Sequence, residues 1–233
     1  MDSRFLLLWL EGPLQSWGAD SRFGRRDTLP FPTKSGVAGM LLCALGASGE
    51  QTELLARLAP LRQTAVSFLK AEEKPAEREP LLRDFHMVGS GYDDEDPWEL
   101  LHIPKKADGG KAVGGGTKMT YRYYLQDARF AVVVEVPGDL AETMAEALRN
   151  PVYDVYLGRK NCVPTEFVLQ GLFLDEGQAL EAAMEMAAGK GLREDFRVLD
   201  GEHDGEPMTL NDVPVQFGTR KVYRDRRVTR IQA

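Results

Sequence analysis

The segment YDVYLGRKNC, residues 153–162, combines residue types that bind single-stranded nucleic acids. Its two tyrosines could stack on bases and its two cations could neutralise phosphates, while its glycine would let a nucleic-acid backbone approach closely. An ordinary exposed loop can have the same composition. The segment therefore leaves two alternatives, an RNA-contacting loop or a solvated connection.

The segment PFPTKSGVAGMLLCALG, residues 30–46, has the pattern of an amphipathic helix that begins near Thr33 or Ser35. The free N–H groups and the dipole at a helix start favour an anion, which makes Lys34, Ser35 and Gly36 candidates for phosphate contact. The segment is not a nucleotide-binding P-loop, because Thr33 stands where that motif requires a glycine before Lys34. Capping by Thr or Ser explains the same residues equally well. Phosphate contact and simple capping both remain open.

The segment TYRYYLQ, residues 120–126, also interleaves tyrosine with arginine, here on a predicted strand. Tyr121 and Arg122 are therefore candidates for RNA contact. Because side chains on a strand alternate between its two faces, at least one tyrosine of this segment is expected in the core.

Three scattered histidines, His86, His102 and His203, lack the spacing of a metal triad. His86 lies in the predicted strand LLRDFHMV, where it could be the general base of a metal-free ribonuclease or simply a structural residue. Cys43 and Cys162 form no Cys-x-x-Cys motif or Cys/His cluster, so neither a zinc site nor a disulfide framework is expected. We expect no cofactor.

The charge of the chain is unevenly distributed. The net charge is -7, which argues against a general nucleic-acid binder. However, the last fourteen residues, RKVYRDRRVTRIQA, contain six basic residues and one Asp, and the rest of the chain is correspondingly more acidic. This distribution permits a basic groove on an acidic body.

The chain of 233 residues, 43% of them hydrophobic, can bury the core of one large domain or two small ones. No apolar run approaches the roughly 20 residues that cross a bilayer, and the N-terminus lacks the pattern of a secretory signal. A soluble, cytoplasmic protein without membrane contact is the expectation.

The elements that position these residues follow a recognisable order. Residues 89–117 are glycine-rich and predict a long loop, either a binding arm or a flexible insertion. Without it, the predicted order is strand, helix, strand, strand, helix, strand. MTYRYYLQ and ARFAVVVEV are predicted to pair. This is the ferredoxin-like arrangement, with helices on one face of an antiparallel sheet and the other face available. Residues from about 175 onward predict a small, mostly β appendage.

Six segments, in this order, resemble the CasD family of CRISPR-associated proteins. They are GPLQSWG, FPTKSGVAGMLLCALG, LRDFHMVG, TYRYYLQDARFAVVVEV, VYLGRKNCVPTEFVLQG and PVQFGTRKVYRDRR. The resemblance covers most of the chain.

The resemblance implies an α+β fold with a ferredoxin-like, RRM-like domain over residues 1–174. That domain would carry a thumb at about 89–117, and residues 175–233 would form a small C-terminal β region with a basic tail. A non-catalytic subunit of the Cascade surveillance complex is implied, which binds the 5′ handle of the CRISPR RNA. Such a subunit caps the CasC backbone filament beside the large CasA subunit, and it meets target DNA only through the assembled complex.

The residues and the resemblance together predict an RNA site of fourteen residues. They are Arg25, Arg26, Lys34, Ser35, Gly36, Lys105, Lys106, Lys111, Tyr121, Arg122, Tyr156, Gly158, Arg159 and Lys160. The alternative function is a metal-independent endoribonuclease that processes the CRISPR repeat transcript, with His86 in an acid or base role.

Overall fold

The apolar run near the N-terminus forms a buried strand, β1 (Ser3–Glu11), of a large antiparallel sheet. The computed structural model describes residues 3–18, 24–72, 81–88, 95–100, 106, 108–110 and 118–233. In chain order, its elements are β1 (Ser3–Glu11), β2 (Leu14–Gln15), β3 (Trp17–Gly18), β4 (Arg25–Arg26), β5 (Thr28–Leu29), α1 (Lys34–Ala44), α2 (Thr52–Leu58), β6 (Gln63–Lys70), β7 (Leu82–Val88), α3 (Pro97–Leu100), β8 (Lys118–Gln126), β9 (Arg129–Pro137), α4 (Gly138–Arg149), β10 (Leu169–Phe173), α5 (Glu176–Gly189), β11 (Leu192–Asp200), β12 (Glu206–Gln216) and β13 (Val222–Gln232).

The large sheet has seven strands in the order β10-β1-β9-β6-β11-β13-β12. Each neighbouring pair is antiparallel. β11, β12 and β13 come from the last part of the chain and continue the sheet that the earlier strands begin. The strands of the predicted C-terminal β region, residues 175–233, therefore extend the main sheet.

Helices cover both faces of this sheet. Because strand side chains alternate, Leu6, Leu8 and Leu10 pack in one core cluster with residues of α1 and α4. Phe5, Leu7 and Trp9 lie in a second cluster with three alanines of α5, Ala179, Ala183 and Ala187. The predicted open sheet face is therefore wrong. The alanines recur every four residues, so their small side chains let α5 lie close against the strands.

A second, smaller sheet contains β8. This strand pairs antiparallel with β7 and β2 and parallel with β4. The predicted pairing of MTYRYYLQ with ARFAVVVEV is wrong, because β9 instead pairs with β1 and β6. Asp127, with a φ of 45°, lies in the turn where the chain passes from one sheet to the other. Most of the predicted thumb, residues 89–117, lies outside the described residues.

Candidate functional site

A groove of about 610 Å³ lies where loops from distant parts of the chain meet α1. One group of its lining residues was predicted from the sequence: Arg26, Ser35, Gly36, Tyr156, Gly158 and Arg159. The others are Ser16, Trp17, Gly18, Asp27, Thr33, Gly39, Met40, Cys43, Phe217, Lys221 and Tyr223. Among the residues that the structure describes, the lining therefore includes three cations, a single carboxylate and four aromatic rings.

The glycine loop, residues 156–162, forms one wall and rests directly on the segment after β1. The Ser16 N–H donates to the Leu157 carbonyl over 3.0 Å. Gly158 has a φ of +94°, and a Cβ there would overlap the Ser16 carbonyl oxygen. Only glycine accommodates both this conformation and this approach. Gly158 therefore has a structural role in addition to any contact with a ligand.

The GPLQSWG segment supports this wall through buried hydrogen bonds. The Gln15 side chain donates to the carbonyls of Leu10 (3.0 Å) and Ala128 (2.7 Å), and it accepts from Trp17 Nε1 (3.0 Å). Ser16 Oγ donates to the Tyr123 carbonyl. Since buried polar groups require partners, these bonds hold residues 15–17 in place under the glycine loop.

Arg159 is held by contacts within the protein. Its guanidinium donates to the carbonyls of Tyr123 (3.2 Å) and Arg26 (2.8 Å) and lies 4.7 Å from the centre of the Tyr124 ring. These contacts fix a positive charge at the groove and join the glycine loop to β4 and β8. A guanidinium has five N–H donors, so two carbonyl contacts leave it able to bind a phosphate.

Side chains of the protein itself accept hydrogen bonds from the N–H groups at the N-terminus of α1. Thr33 Oγ1 accepts from the Gly36 N–H, which makes Thr33 the N-cap. The Lys34 N–H donates to Asp212 Oδ2 over 2.8 Å, so a carboxylate from β12 already occupies the anion position. Capping explains this end of the helix, whereas Ser35 and Gly36 line the groove from the helix side.

The Lys34 side chain belongs to a buried ion cluster. Its ammonium contacts the Leu61 carbonyl and lies 3.4 Å from Asp200 Oδ2. Arg226 binds both Asp200 and Asp212 in the same cluster. Burial lowers the pKa of Lys34, although the carboxylate of Asp200 acts in the opposite direction. The cluster joins α1 to β11, β12 and β13, and it turns the Lys34 ammonium away from the groove.

The loop between β12 and β13 supplies a wall that the sequence analysis missed. Phe217, Lys221 and Tyr223 line the groove. The segment FGTRKVY has the same mixture of aromatic and basic residues that drew attention to TYRYYLQ. That composition was a usable signal, but the sequence analysis used this segment only for the net charge of the tail and for the family resemblance.

Several further residues of the predicted RNA site are described by the structure but do not line the groove. Arg25 donates to the Asp27 carboxylate, and its guanidinium lies 4.9 Å from the centre of the Tyr123 ring. Tyr121, Arg122, Lys160 and Lys106 are described, and they do not line the groove. Lys105 and Lys111 are outside the described residues. These assignments stay predictions.

His86 lies on β7, where its Nε2 is paired with the Asp84 carboxylate. It is not part of the groove lining. Among the described residues, no group of His, Cys, Asp and Glu could hold a metal ion. Within the same ranges, none of the helices is both long and apolar enough to span a membrane.

The sequence matches a known protein family over nearly its whole length. The profile of the family described as CRISPR-associated protein (Cas_Cas5) matches residues 5–229. This chain belongs to the Cas5 family of CRISPR-associated proteins. It is 29% identical over 234 residues to the CRISPR system Cascade subunit CasD of Escherichia coli (strain K12), with 94% of each chain covered. The predicted resemblance to the CasD family is confirmed.

Solved structures agree with the Cas5 assignment. A chain in the structure of a CRISPR RNA-guided surveillance complex has a TM-score of 0.72 and 28% identity, and the match covers 98% of this chain and 89% of that one. A crystal structure of a Cas protein matches with a TM-score of 0.57 and 27% identity, covering 98% of this chain and 94% of the other. The chain thus has the mixed α/β, mostly antiparallel architecture of Cas proteins.

Proposed function

We propose that this Cas5-family chain is a non-catalytic subunit of a CRISPR RNA-guided surveillance complex. In this proposal it binds the 5′ handle of the CRISPR RNA in the groove and caps one end of the CasC backbone filament beside CasA. The similarity to the Cascade subunit CasD and to a chain of a surveillance complex supports the proposal. Target DNA is then met through the assembled complex.

The observation that carries the proposal is the convergence of RNA-binding residue types on one groove. Arg26, Arg159 and Lys221 bring positive charge from three distant segments of a chain whose net charge is -7. Tyr156 and Tyr223 bring aromatic rings to the same place. Cations that track phosphates, combined with rings that stack on bases, are the features by which proteins bind single strands.

The position of the groove also fits a modified RNA-recognition architecture. We propose that β1, α1, β6, β9, α4 and β10 form a ferredoxin-like core, a view supported by the strand order β10-β1-β9-β6. Because α5 covers the face that RRM domains use for RNA, the RNA would bind beside the sheet. The division into residues 1–174 and 175–233 is part of this proposal.

The test is binding of the 5′-handle RNA from the host's own CRISPR repeat. The variant Arg26→Glu/Lys221→Glu should bind about tenfold or more weakly, with a shallower dependence on salt, because two phosphate contacts become repulsive. Arg57→Glu/Arg149→Glu, with the same charge change on the outer surfaces of α2 and α4, is the matched control. Equal affinity of both variants would contradict the proposed site.

The non-catalytic role is tested with the same RNA on a denaturing gel, in the presence of a metal chelator. We expect intact RNA at protein concentrations that bind all of it. A single defined cut that disappears in a His86→Ala variant would instead make this chain the processing endoribonuclease.

A further inference from the structure

The segment FGTRKVY, residues 217–223, spans the loop between β12 and β13 and the start of β13, and it brings an aromatic ring and a lysine to the groove. The ring belongs to Tyr223, which is half-buried, and the lysine is Lys221, which is exposed. Neither belongs to the RNA site predicted from the sequence, and nothing in the family comparison assigns them a role. Their chemistry is that of a base-stacking surface beside a phosphate contact.

The Tyr223 ring is held in place without being fully enclosed. Its centre lies 6.5 Å from that of Phe217, with the two rings at 66° in an edge-to-face arrangement. Phe217 packs in turn against the cluster of Ala38, Leu42 and Leu55 between α1 and α2. Burial raises the pKa of Tyr223, in agreement with this partly enclosed position. The core thus fixes one side of the aromatic pair, and the other side faces the groove.

The loop that connects β12 to β13 is preorganised by its own hydrogen bonds. The Phe217 N–H donates to the Glu50 carbonyl over 3.0 Å, and the Gln216 side chain donates to the Arg220 carbonyl over 3.0 Å. Below the loop, the buried contacts of Arg226 with Asp212 tie the two strands together. A rigid loop loses little conformational freedom when a ligand binds, which favours tight binding.

We propose that residues 217–223 form a base-binding wall of the groove, in which Tyr223 stacks on one unpaired base of the bound RNA and Lys221 contacts an adjacent phosphate. The inference rests on the proposed function, since it names the part of the RNA that this site recognises. An unstacked base is required, so the ligand is single-stranded at this position. Phe217 acts as a positioning residue that holds the Tyr223 ring.

The test measures binding of handle RNAs in which each nucleotide in turn is made abasic. Tyr223→Leu retains an apolar cover over Phe217 but removes the ring, and it should weaken binding of intact RNA by about 5- to 100-fold. Tyr223→Phe should bind like the wild type, because the stacking surface is kept. Phe167→Leu removes an exposed aromatic ring that does not line the groove, and it is the matched control.

The decisive result is the coupling between the ring and one base. At one handle position, the abasic change should weaken binding to the wild type but cause no further loss in Tyr223→Leu. Additive losses at every position, or unchanged binding of Tyr223→Leu to intact RNA, would overturn the inference. If Tyr223→Leu binds intact RNA normally but no longer assembles into the complex, the ring contacts a protein subunit instead.

The outcomes separate this inference from the function on which it rests. If the Arg26→Glu/Lys221→Glu variant loses RNA binding while Tyr223→Leu retains it, the groove binds RNA and only the stacking of Tyr223 on a base is wrong. If the wild type does not bind the handle at all, both proposals are overturned. Thermal unfolding of each variant verifies that the losses do not come from misfolding.

Discussion

The glycine loop and the N-terminus of α1 were both candidates for phosphate contact, and the structure gives them different roles. The glycine loop lines the groove, and its glycine is required by close approach to Ser16. The helix start is capped by Thr33 and filled by Asp212, and its lysine is buried in an ion cluster. A helix N-terminus is available to a ligand only if no acidic side chain of the protein reaches it first.

The largest expected effect comes from adding a methyl group to the glycine loop. Gly158→Ala should lower the free energy of unfolding by about 3 kcal/mol or more, because the positive φ and the overlap with the Ser16 carbonyl act together. Gly39→Ala, in α1 on the same groove, is the control. Its Cβ meets open space, so it should raise stability by about 0.5–1 kcal/mol. Urea unfolding measures both, and equal stabilities would show that Gly158 is not needed for packing.

A large effect is also expected from breaking the ion cluster under α1. Arg226→Met leaves Asp200 and Asp212 without their main partner and should cost about 3–5 kcal/mol of stability. Arg227→Met, next in sequence, breaks only the exposed ion pair with Glu202 and should cost about 1 kcal/mol or less. Chemical denaturation of the two variants tests this difference. If Arg226→Met lowers stability no more than Arg227→Met does, the ion cluster does not hold the start of α1 in place.

A smaller effect, on the salt dependence of RNA affinity, distinguishes a lysine that lines the groove from the lysine at the start of α1. Lys221→Ala should reduce the slope of log affinity against log salt by about 0.7, the contribution of one phosphate contact on a single strand. Lys34→Met should leave the slope unchanged at temperatures where the variant is folded, because its ammonium does not face the groove. Titrations at several salt concentrations measure both slopes. A reduced slope for Lys34→Met would return the helix start to the RNA site.

The smallest expected effect concerns stability in acid and depends on Glu11, the last residue of β1. Burial acts to raise the pKa of Glu11, but the hydrogen bond from Trp9 and the charges of Lys190 and Arg129 hold it below its ordinary value of 4.5. A lowered folded-state pKa contributes stability above pH 4.5, and this contribution is lost as the pH falls through the folded value. The stability difference between wild type and Glu11→Gln should therefore shrink in acid, as urea unfolding at several pH values would show. If the stability difference between wild type and Glu11→Gln does not change with pH, the Glu11 carboxylate does not contribute stability in this way.

Local sequence patterns predicted much of the fold. The apolar run of β1, the helices α1 and α4, and the glycine loop as a candidate site all followed from composition and spacing. These features depend on residues close together in the chain. The resemblance to the CasD family relied on the same segments, and it is confirmed.

The features that sequence reasoning missed depend on contacts between distant residues. Asp212 reaches Lys34 from 178 positions away, so no local pattern at the helix start reveals it. α5 was overlooked although its alanines recur every four residues, and it closed the sheet face that was predicted to be open. The predicted pairing of β8 with β9 was wrong for a related reason. Alternation of polar and apolar residues predicts a strand but does not identify the strand with which it pairs.

The ion cluster also implies an order of events during synthesis. Until residues 212–226 have been made, the first N–H of α1 lacks its carboxylate and the groove lacks Tyr223 and its supporting loop. If the groove binds RNA as proposed, a nascent chain that has already folded β1, α1 and the glycine loop would still lack part of the binding site. RNA binding would then require the last strands of the sheet, so unfinished chains would not bind RNA in this groove.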